Sequence, residues 1–233
     1  MNDNPMNFEV NTYGGWIVPK QTDFTGSIKQ FPANSVFGTS CIFGQNSIFG
    51  YNSKFGTCCH FDAGCKFNND CEFGEVCRFA DGCYFCNDIK FGKGCKFSNR
   101  CHFGNFIHFG CSCKFGESTE FGVSNKFIGS NFVYGDFTSF KKFVEFGNLC
   151  KFGNHCKFLD KEFEKVICLS NLDGSGRQIR IFFNSDKTQT IEAGCFKGTL
   201  GEFLEAARAG GKVIYCKVIP LVIKGYYDSM KGE

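Results

Sequence analysis

Residues 37–61 read FGTSCIFGQNSIFGYNSKFGTCCHF, with phenylalanine at every sixth position. The same spacing runs from Phe31 to Phe127 without a miss, places Val133 in the next slot, and resumes after one inserted residue from Phe140 to Phe158. Of these 22 slots, 21 hold phenylalanine. Glycine most often follows the phenylalanine, and cysteine or another small residue precedes it by two positions. The chain therefore repeats the hexad Phe-Gly-x-x-Cys-x.

The six-residue period determines the expected fold. A helix has 3.6 residues per turn and does not fit this period, whereas Cys-x-Phe reads as a short strand whose first and third side chains point inward. Three hexads then make one 18-residue coil with three sides. The sequence therefore predicts a mainly β protein built around a parallel, triangular β-helix of about 7 coils.

The corners and the interior follow from the same hexad. We expect the residue after each phenylalanine to turn the corner with a positive φ, because glycine adopts that conformation without steric cost. We expect local irregularities where a poorly suited residue replaces this glycine, which is the case at Ala80, Cys86, Ser98, Ile128, Lys141 and Leu159. Phenylalanine rings are expected to fill the interior, with cysteine as the small neighbour that leaves room for them.

The extent of the hexads divides the chain into three segments. Residues 1–30 contain Trp16, the only tryptophan, and no hexad, so they are expected to cap the first coil. Residues 31–163 are expected to form the β-helix. Residues 164–233 follow the periodic part and are expected to form a small α+β domain.

The C-terminal segment contains ordinary strand and helix signals. Two alternating stretches, Gln178–Phe183 and Gln189–Ala193, predict a β-hairpin. Thr199 and Glu202 have the spacing of a capping box and predict a short amphipathic helix. The apolar stretch from Lys212 to Met230 is interpreted as a strand followed by a helix, an assignment that the pattern leaves open.

Composition restricts the classes of protein. The 233 residues carry a formal net charge of +3, with 32 phenylalanines and 17 cysteines. No apolar run approaches the ~20 residues of a membrane span. Met1–Val10 lacks the basic and apolar regions of a secretory signal. We therefore expect a cytoplasmic protein that does not bind a membrane.

The cysteines are interpreted as packing residues. Eleven of the 17 occupy the small inward slot of the hexad. A straight ladder of thiols lacks the tetrahedral convergence that zinc requires, and no Cys-x-x-Cys pairs recur with zinc spacing. Unpaired thiols fit a reducing compartment. We therefore predict neither a metal ion nor a cofactor.

The hexad resembles a known repeat. The segment 37–42, Phe-Gly-Thr-Ser-Cys-Ile, matches the aliphatic-Gly-x-x-small-x pattern of the bacterial hexapeptide-repeat family, with phenylalanine in place of the aliphatic residue. The Phe-Gly-x-x-Cys-x version resembles a group of hexapeptide proteins from phage and prophage genomes, which tend to carry a similar C-terminal tail. The resemblance covers about residues 31–158 and implies a left-handed β-helix, a homotrimer and, for a phage-encoded chain, the cytoplasm of a bacterial host.

The outward side chains sort into three columns when residues are stacked 18 apart, and each column defines one face. Face 1 carries Val36, Lys54, Glu72, Lys90, His108, Lys126 and Glu145. Face 2 carries Ile42, His60, Arg78, Lys96, Lys114, Phe132 and Lys151. Face 3 carries Ile48, Lys66, Tyr84, His102, Glu120, Ser139 and Lys157. Faces 1 and 3 mix positive and negative residues, whereas the column of face 2 has no acid.

The column of face 2 is the predicted binding site. Like charges about 4.8 Å apart repel one another, so the column either serves a purpose or is relieved by corner acids such as Asp81 and Glu117. We expect an anionic partner, which can be a small molecule such as a nucleotide, a nucleic acid or an acidic protein surface. The alternative is a positive strip that faces water or faces acids on a neighbouring subunit. The predicted ligand-binding residues are His60, Arg78, Lys96, Lys114 and Lys151.

No catalytic residue is predicted. Hexapeptide acyltransferases use a histidine at the subunit boundary as a general base, and related carbonic anhydrases bind zinc through three histidines near that boundary. In this sequence His60, His102 and His108 hold outward slots on three different faces.

Three classes of function are compatible with these patterns. The preferred hypothesis is a non-catalytic, phage-type binding protein that sequesters a host nucleotide signal or blocks a host defence factor. The first alternative is a structural or assembly protein associated with the virion. The second is an enzyme that resembles the hexapeptide acyltransferases.

Overall fold

The chain consists of two compact units, Met1–Lys161 and Glu162–Glu233. A computed structural model describes residues 6–26, 28–141, 144–147, 150–153, 155–158, 161–175 and 177–230. The first unit contains short strands, and the second contains longer strands and two helices.

Most strands of the first unit contain only two residues, as the hexad requires. In chain order they are β1 (Glu9–Val10), β2 (Trp16–Val18), β3 (Asp23–Phe24), β4 (Gln30–Phe31), β5 (Val36–Phe37), β6 (Ile42–Phe43), β7 (Ile48–Phe49), β8 (Lys54–Phe55), β9 (His60–Phe61), β10 (Lys66–Phe67), β11 (Glu72–Phe73), β12 (Arg78–Phe79), β13 (Tyr84–Phe85), β14 (Lys90–Phe91), β15 (Lys96–Phe97), β16 (His102–Phe103), β17 (His108–Phe109), β18 (Lys114–Phe115), β19 (Glu120–Phe121), β20 (Lys126–Phe127), β21 (Val133–Tyr134), β22 (Ser139–Phe140), β23 (Lys151–Phe152) and β24 (Cys156–Phe158). In most of these strands the first residue points outward and the phenylalanine points inward. In β12, for example, Arg78 is exposed and Phe79 is buried.

These strands form three parallel faces. Face 1 runs β2-β5-β8-β11-β14-β17-β20, face 2 runs β3-β6-β9-β12-β15-β18-β21-β23, and face 3 runs β4-β7-β10-β13-β16-β19-β22-β24. Neighbouring strands are one coil of 18 residues apart, so Arg78 lies opposite His60 on one side and Lys96 on the other. The predicted parallel β-helix with three-sided coils is confirmed. Face 2 has eight strands, so there are eight coils where the hexads alone predict about 7.

The additional coil comes from the segment that we expected to cap the solenoid. Strand β2 pairs in parallel with β5, and β3 pairs in parallel with β6. Trp16 and Phe24 are buried at 3% and 2% exposure. Val18 and Phe24 occupy the inward slots of this coil, opposite Phe37 and Phe43, and Trp16 lies in the small inward slot two residues before Val18. Phe8 covers Trp16 and Phe24, with its ring centroid 5.8 Å from Trp16 and 5.7 Å from Phe24.

The interior is three ladders of aromatic rings. Along face 2 the rings of Phe43, Phe61 and Phe79 stack in parallel, with centroids 4.8 Å apart at each step. Between faces the rings meet edge to face, as Phe55 does with Phe61 at 5.1 Å and 85°. Both arrangements suit the ring quadrupole. The expected inward orientation of the rings is therefore confirmed.

The corners differ from the sequence expectation. The positive φ falls on the third residue after the phenylalanine, as at Asn46 (φ 60°) and Asp70 (φ 61°), and not on the glycine directly after it. That glycine has another role. A Cβ at Gly56 or Gly74 would lie 2.7 Å from a backbone nitrogen of the preceding coil. Glycine is therefore favoured there because the coils approach closely.

The expected irregularities at Ala80, Cys86 and Ser98 do not occur. Their backbone N–H groups donate to the carbonyl groups of Phe61, Phe67 and Phe79 at 2.9, 3.0 and 2.9 Å, as in the regular coils. A small side chain is accommodated because the positive φ is carried two residues later. The corner after Ile128 is irregular, because Gly129 and Asn131 both have a positive φ there. Leu159 lies outside the described residues.

The small inward slot also has a hydrogen-bonding role. Ser47 Oγ donates to the Gly44 carbonyl of its own coil at 2.7 Å. Cys65 Sγ reaches the same carbonyl from the next coil at 3.5 Å. A buried carbonyl without a donor would be costly, so cysteine, serine and threonine fill this slot for hydrogen bonding as well as for packing.

One coil departs from the predicted register. We placed Val133 in the inward slot and Phe132 on the outward column of face 2, and both assignments are wrong. Tyr134 is the inward residue, stacked on Phe115 at 5.3 Å, and Val133 lies opposite Lys114 on the outside. Phe132 is fully buried. The inserted residue lengthens the preceding corner, which moves the strand one residue towards the C-terminus.

The second unit is an antiparallel sheet with two helices. Its elements are β25 (Lys161–Ser170), β26 (Gln178–Asn184), β27 (Gln189–Ala193), β28 (Phe196–Gly198), α1 (Leu200–Ala209) and α2 (Val213–Ser229). Strands β26 and β27 form the predicted hairpin, and Thr199 and Glu202 form the predicted capping box of α1. The stretch from Lys212 that we interpreted as a strand and a helix is helix α2 alone, with Pro220 inside it.

Both helices pack against one side of this sheet. The buried cluster includes Ile181 and Ile191 of the sheet, Phe203 of α1 and Ile219 of α2. Within the described part of the chain, no helix has the length and apolarity needed to cross a membrane.

Candidate binding surface

The five predicted site residues lie in one column on face 2. Backbone pairing places His60, Arg78, Lys96 and Lys114 on adjacent strands, and Val133 separates Lys114 from Lys151. All five predicted side chains are exposed. At roughly 4.8 Å per strand, the five steps from His60 to Lys151 span about 24 Å. We call these five residues the basic strip.

Face 1 pairs its charges. Glu72 lies between two lysines, with 3.5 Å to Lys54 Nζ and 3.3 Å to Lys90 Nζ. Further along the column, Lys126 Nζ lies 3.2 Å from Glu145. On face 3, His102 Nδ1 lies 3.2 Å from Glu120 in the same way. Opposite charges on adjacent coils therefore neutralise each other along face 1.

Face 2 has no such pairing. Among the described residues, none of the ion pairs involves a side chain of the basic strip. The corner acid Asp81, one of the two that could have relieved the strip, lies 3.4 Å from Arg100 instead. Asp62 lies beside the strip, and its carboxylate accepts a hydrogen bond from the backbone N–H of Ala63 at 2.8 Å. Within the ranges that the structure describes, no carboxylate therefore lies within ion-pair distance of the strip cations.

Four of the five residues that flank the strip are small. The residue two positions after each strip cation stands beside the column on the same face. These flanking residues are Asp62, Ala80, Ser98, Gly116 and Gly153. Because they are small, the long side chains of Arg78, Lys96 and Lys114 stand above the face and can be approached from outside. Two shallow grooves of the solenoid lie elsewhere, one lined by Asp70 and His108 and one by Tyr84 and His102.

An exposed aromatic pair lies at the corner that follows face 2. The rings of Phe137 and His155 are stacked, with centroids 5.1 Å apart and 12° between their planes. Phe137 is 56% exposed. The sequence interpretation missed this pair. Its signal was the presence of phenylalanine and histidine at the third position after the inward aromatic, where asparagine, aspartate, glycine and serine predominate.

The remaining reactive side chains do not converge. His60, His102 and His108 lie on faces 2, 3 and 1, as predicted, and are not brought together. In the described part of the chain, no group of three or more His, Cys, Asp or Glu side chains is arranged to hold a metal ion. Burial raises the pKa of the Cys71 thiol to about 12 and that of Cys156 to about 11. Such thiols stay protonated and are poor nucleophiles.

Comparison with known protein families, with curated proteins and with solved structures finds no match for this chain. The arrangement of the side chains is therefore the basis for any statement about function.

Proposed function

We propose that the protein is a non-catalytic binding protein that presents the basic strip of face 2 to an anionic partner. The observation that carries this proposal is the contrast between two faces: on face 1, Lys54, Lys90 and Lys126 lie within 3.5 Å of glutamates on adjacent coils, whereas the strip cations have no such partner among the described residues. Adjacent like charges lower stability. A partner that supplies the missing anions would relieve this repulsion.

The rigidity of the solenoid supports the proposal. Four of the five strip residues sit on strands held by parallel pairing on both sides, as Lys96 is held between Arg78 and Lys114, and Lys151 sits on the edge strand β23. Cations fixed in a line lose little backbone freedom on binding, so more of the electrostatic attraction remains as affinity. In the phage setting that the hexad variant implies, such a protein would sequester a host nucleotide signal or block a host defence factor.

Two variants with the same change of charge test the proposal. The first neutralises face 2 (Arg78→Gln, Lys96→Gln, Lys114→Gln), and the second neutralises face 1 (Lys54→Gln, Lys90→Gln, Lys126→Gln). Binding is measured by calorimetry at low salt with sodium tripolyphosphate, a 12-nucleotide oligothymidylate and a 12-residue polyglutamate peptide.

The proposal predicts that at least one of these anions binds the unmodified protein. It also predicts that the face 2 variant loses that binding, whereas the face 1 variant keeps it. If no anion binds, or if both variants lose affinity equally, the basic strip is not a binding surface. Native mass spectrometry of the protein taken from cells would show whether a small anion is retained and how many subunits are present.

A further inference from the structure

The exposed pair Phe137 and His155 is unusual for this solenoid. Both residues have a positive φ, 57° and 54°. A bulky residue in that conformation is uncommon, and such strain is often found at functional positions. The hexad phenylalanines are buried, whereas Phe137 leaves 56% of its surface in water. Burial in the core therefore does not explain why an aromatic residue is there.

The corner itself does not require an aromatic residue. The same column of positive-φ positions is filled elsewhere by small or polar residues. In chain order it reads Asn46, Gly64, Gly82, Arg100, Ser118, Phe137 and His155. Ser118, one coil before Phe137, has a φ of 55° and forms the same turn. The stacked rings are thus an addition to a corner that serine can build.

The ring pair runs along the edge of the basic strip. Phe137 follows Val133 by four residues, and His155 follows Lys151 by four residues. Four residues of chain span at most about 14 Å. The ring-to-ring step of 5.1 Å matches the spacing between coils. The ring pair therefore lies beside the C-terminal end of the strip, with Val133 in the coil of Phe137 and Lys151 in the coil of His155.

The corner column that contains Phe137 and His155 differs in charge from the basic strip. Glu117 and Asp136 lie on the corner directly before Ser118 and Phe137. These acids disfavour a phosphate at the corner and leave the flat rings as its attractive feature. The strip, by contrast, attracts phosphates through Arg78, Lys96, Lys114 and Lys151, which carry no aromatic ring. A matching ligand has a line of negative charges with flat uncharged groups on one side.

Resting on the function proposed above, we infer that the partner is a single-stranded nucleic acid. Its phosphates lie along Lys114 and Lys151, and its bases stack on Phe137 and His155. Proteins that bind single strands without sequence preference combine a basic track with aromatic stacking in this way. A duplex keeps its bases stacked inside and cannot offer them to the corner.

The experiment compares three probes of equal length on the full chain: a 12-nucleotide oligothymidylate, an abasic deoxyribose-phosphate oligomer, and a 12-base-pair duplex. Affinity is measured by fluorescence anisotropy. Phe137→Ser and His155→Ser imitate Ser118 and are expected to fold. The matched control is Phe106→Ser, because Phe106 is 53% exposed with a φ of 57° but lies on the corner after face 3. Circular dichroism melts verify that the variants fold.

We expect the thymidylate to bind more tightly than the abasic oligomer, by roughly 5- to 150-fold for each stacked base. Phe137→Ser should remove most of this preference, and Phe106→Ser should keep it. Equal affinity for thymidylate and abasic oligomer would refute base stacking while leaving the anionic strip in place. Tighter binding of the duplex or of the polyglutamate peptide would refute a single-stranded partner. Failure of every anion to bind would refute the proposed function itself.

Discussion

Faces 1 and 2 of the solenoid are built from the same hexad and differ in their outward columns. On face 1, Glu72 lies between Lys54 and Lys90 within 3.5 Å of each. On face 2, Arg78, Lys96 and Lys114 follow one another with no acid between them. The interior phenylalanines of the two faces are equivalent. The outward residues can therefore vary without a change of fold, and their pattern carries the information about function.

The comparison also separates stability from binding. Alternating charges on adjacent coils contribute a modest stabilisation, and a run of like charges costs a similar amount. A face with a run of cations lacks the stabilisation that alternating charges would provide. The unpaired cations are consistent with a surface whose counter-charges come from outside the chain.

The largest effects on the free energy of unfolding are expected at the buried phenylalanines, which the two faces share. Phe73→Ala on face 1 and Phe79→Ala on face 2 each remove a buried ring, so each should lower the free energy of unfolding by about 3–5 kcal/mol. Chemical denaturation followed by circular dichroism measures this. A much smaller loss at Phe79 would mean that the interior of face 2 is not equivalent to that of face 1.

A smaller effect is expected on the outside, with opposite signs on the two faces. Neutralising Lys54, Lys90 and Lys126 removes ion pairs and should lower the free energy of unfolding. Neutralising Arg78, Lys96 and Lys114 removes repulsion and should raise it. Each change should be roughly 0.5–1 kcal/mol at low salt and should shrink at high salt, because these groups are exposed to solvent.

Thermal melts of the two triple variants at low and high ionic strength give the comparison directly. If both variants are destabilised by the same amount, the strip cations have partners within the chain and the contrast between the faces is lost.

The smallest effect concerns a paired charge in the second unit. Lys212 Nζ lies 2.7 Å from Asp173, and this contact holds the pKa of Asp173 well below its usual range. An acid with a lowered pKa stabilises the fold above its unfolded pKa of about 4 and loses that contribution as the pH falls below it. The second unit should therefore weaken in acid.

Asp173→Asn provides the control for this prediction. The variant should be less stable at pH 7, and its melting temperature should change less between pH 5 and pH 2. The helical circular dichroism signal reports the second unit, because α1 and α2 both lie there. An identical pH dependence in both proteins would show that Asp173 does not contribute.

Much of the fold could be predicted because the hexad repeats without interruption over most of the first unit. The inward direction of Phe31 to Phe127 and the assignment of Arg78, Lys96 and Lys114 to one column both follow from a period of six. The period could not show which corner residue has the positive φ. Glycine allows that conformation, but in this fold its small size is required instead for close approach of coils.

The features that were missed lie where the period breaks. A single inserted residue can lengthen the corner or the strand, and the sequence alone does not decide between Val133 and Tyr134 as the inward residue. Phe137 and His155 could have been recognised as exceptions within the corner column, but only once the corner position was known. The first coil was missed because Val18 replaces phenylalanine in one inward slot and one extra residue separates Phe24 from Phe31.

The most direct test of the binding strip is the salt dependence of binding to the 12-nucleotide oligothymidylate between 50 and 200 mM sodium chloride. Four contacts, from Arg78, Lys96, Lys114 and Lys151, predict a log–log slope of about −2.8 for a single strand. Neutralising the first three should reduce the slope to about −0.7, whereas neutralising Lys54, Lys90 and Lys126 should leave it at about −2.8. The same slope in all three proteins would contradict the role assigned to face 2.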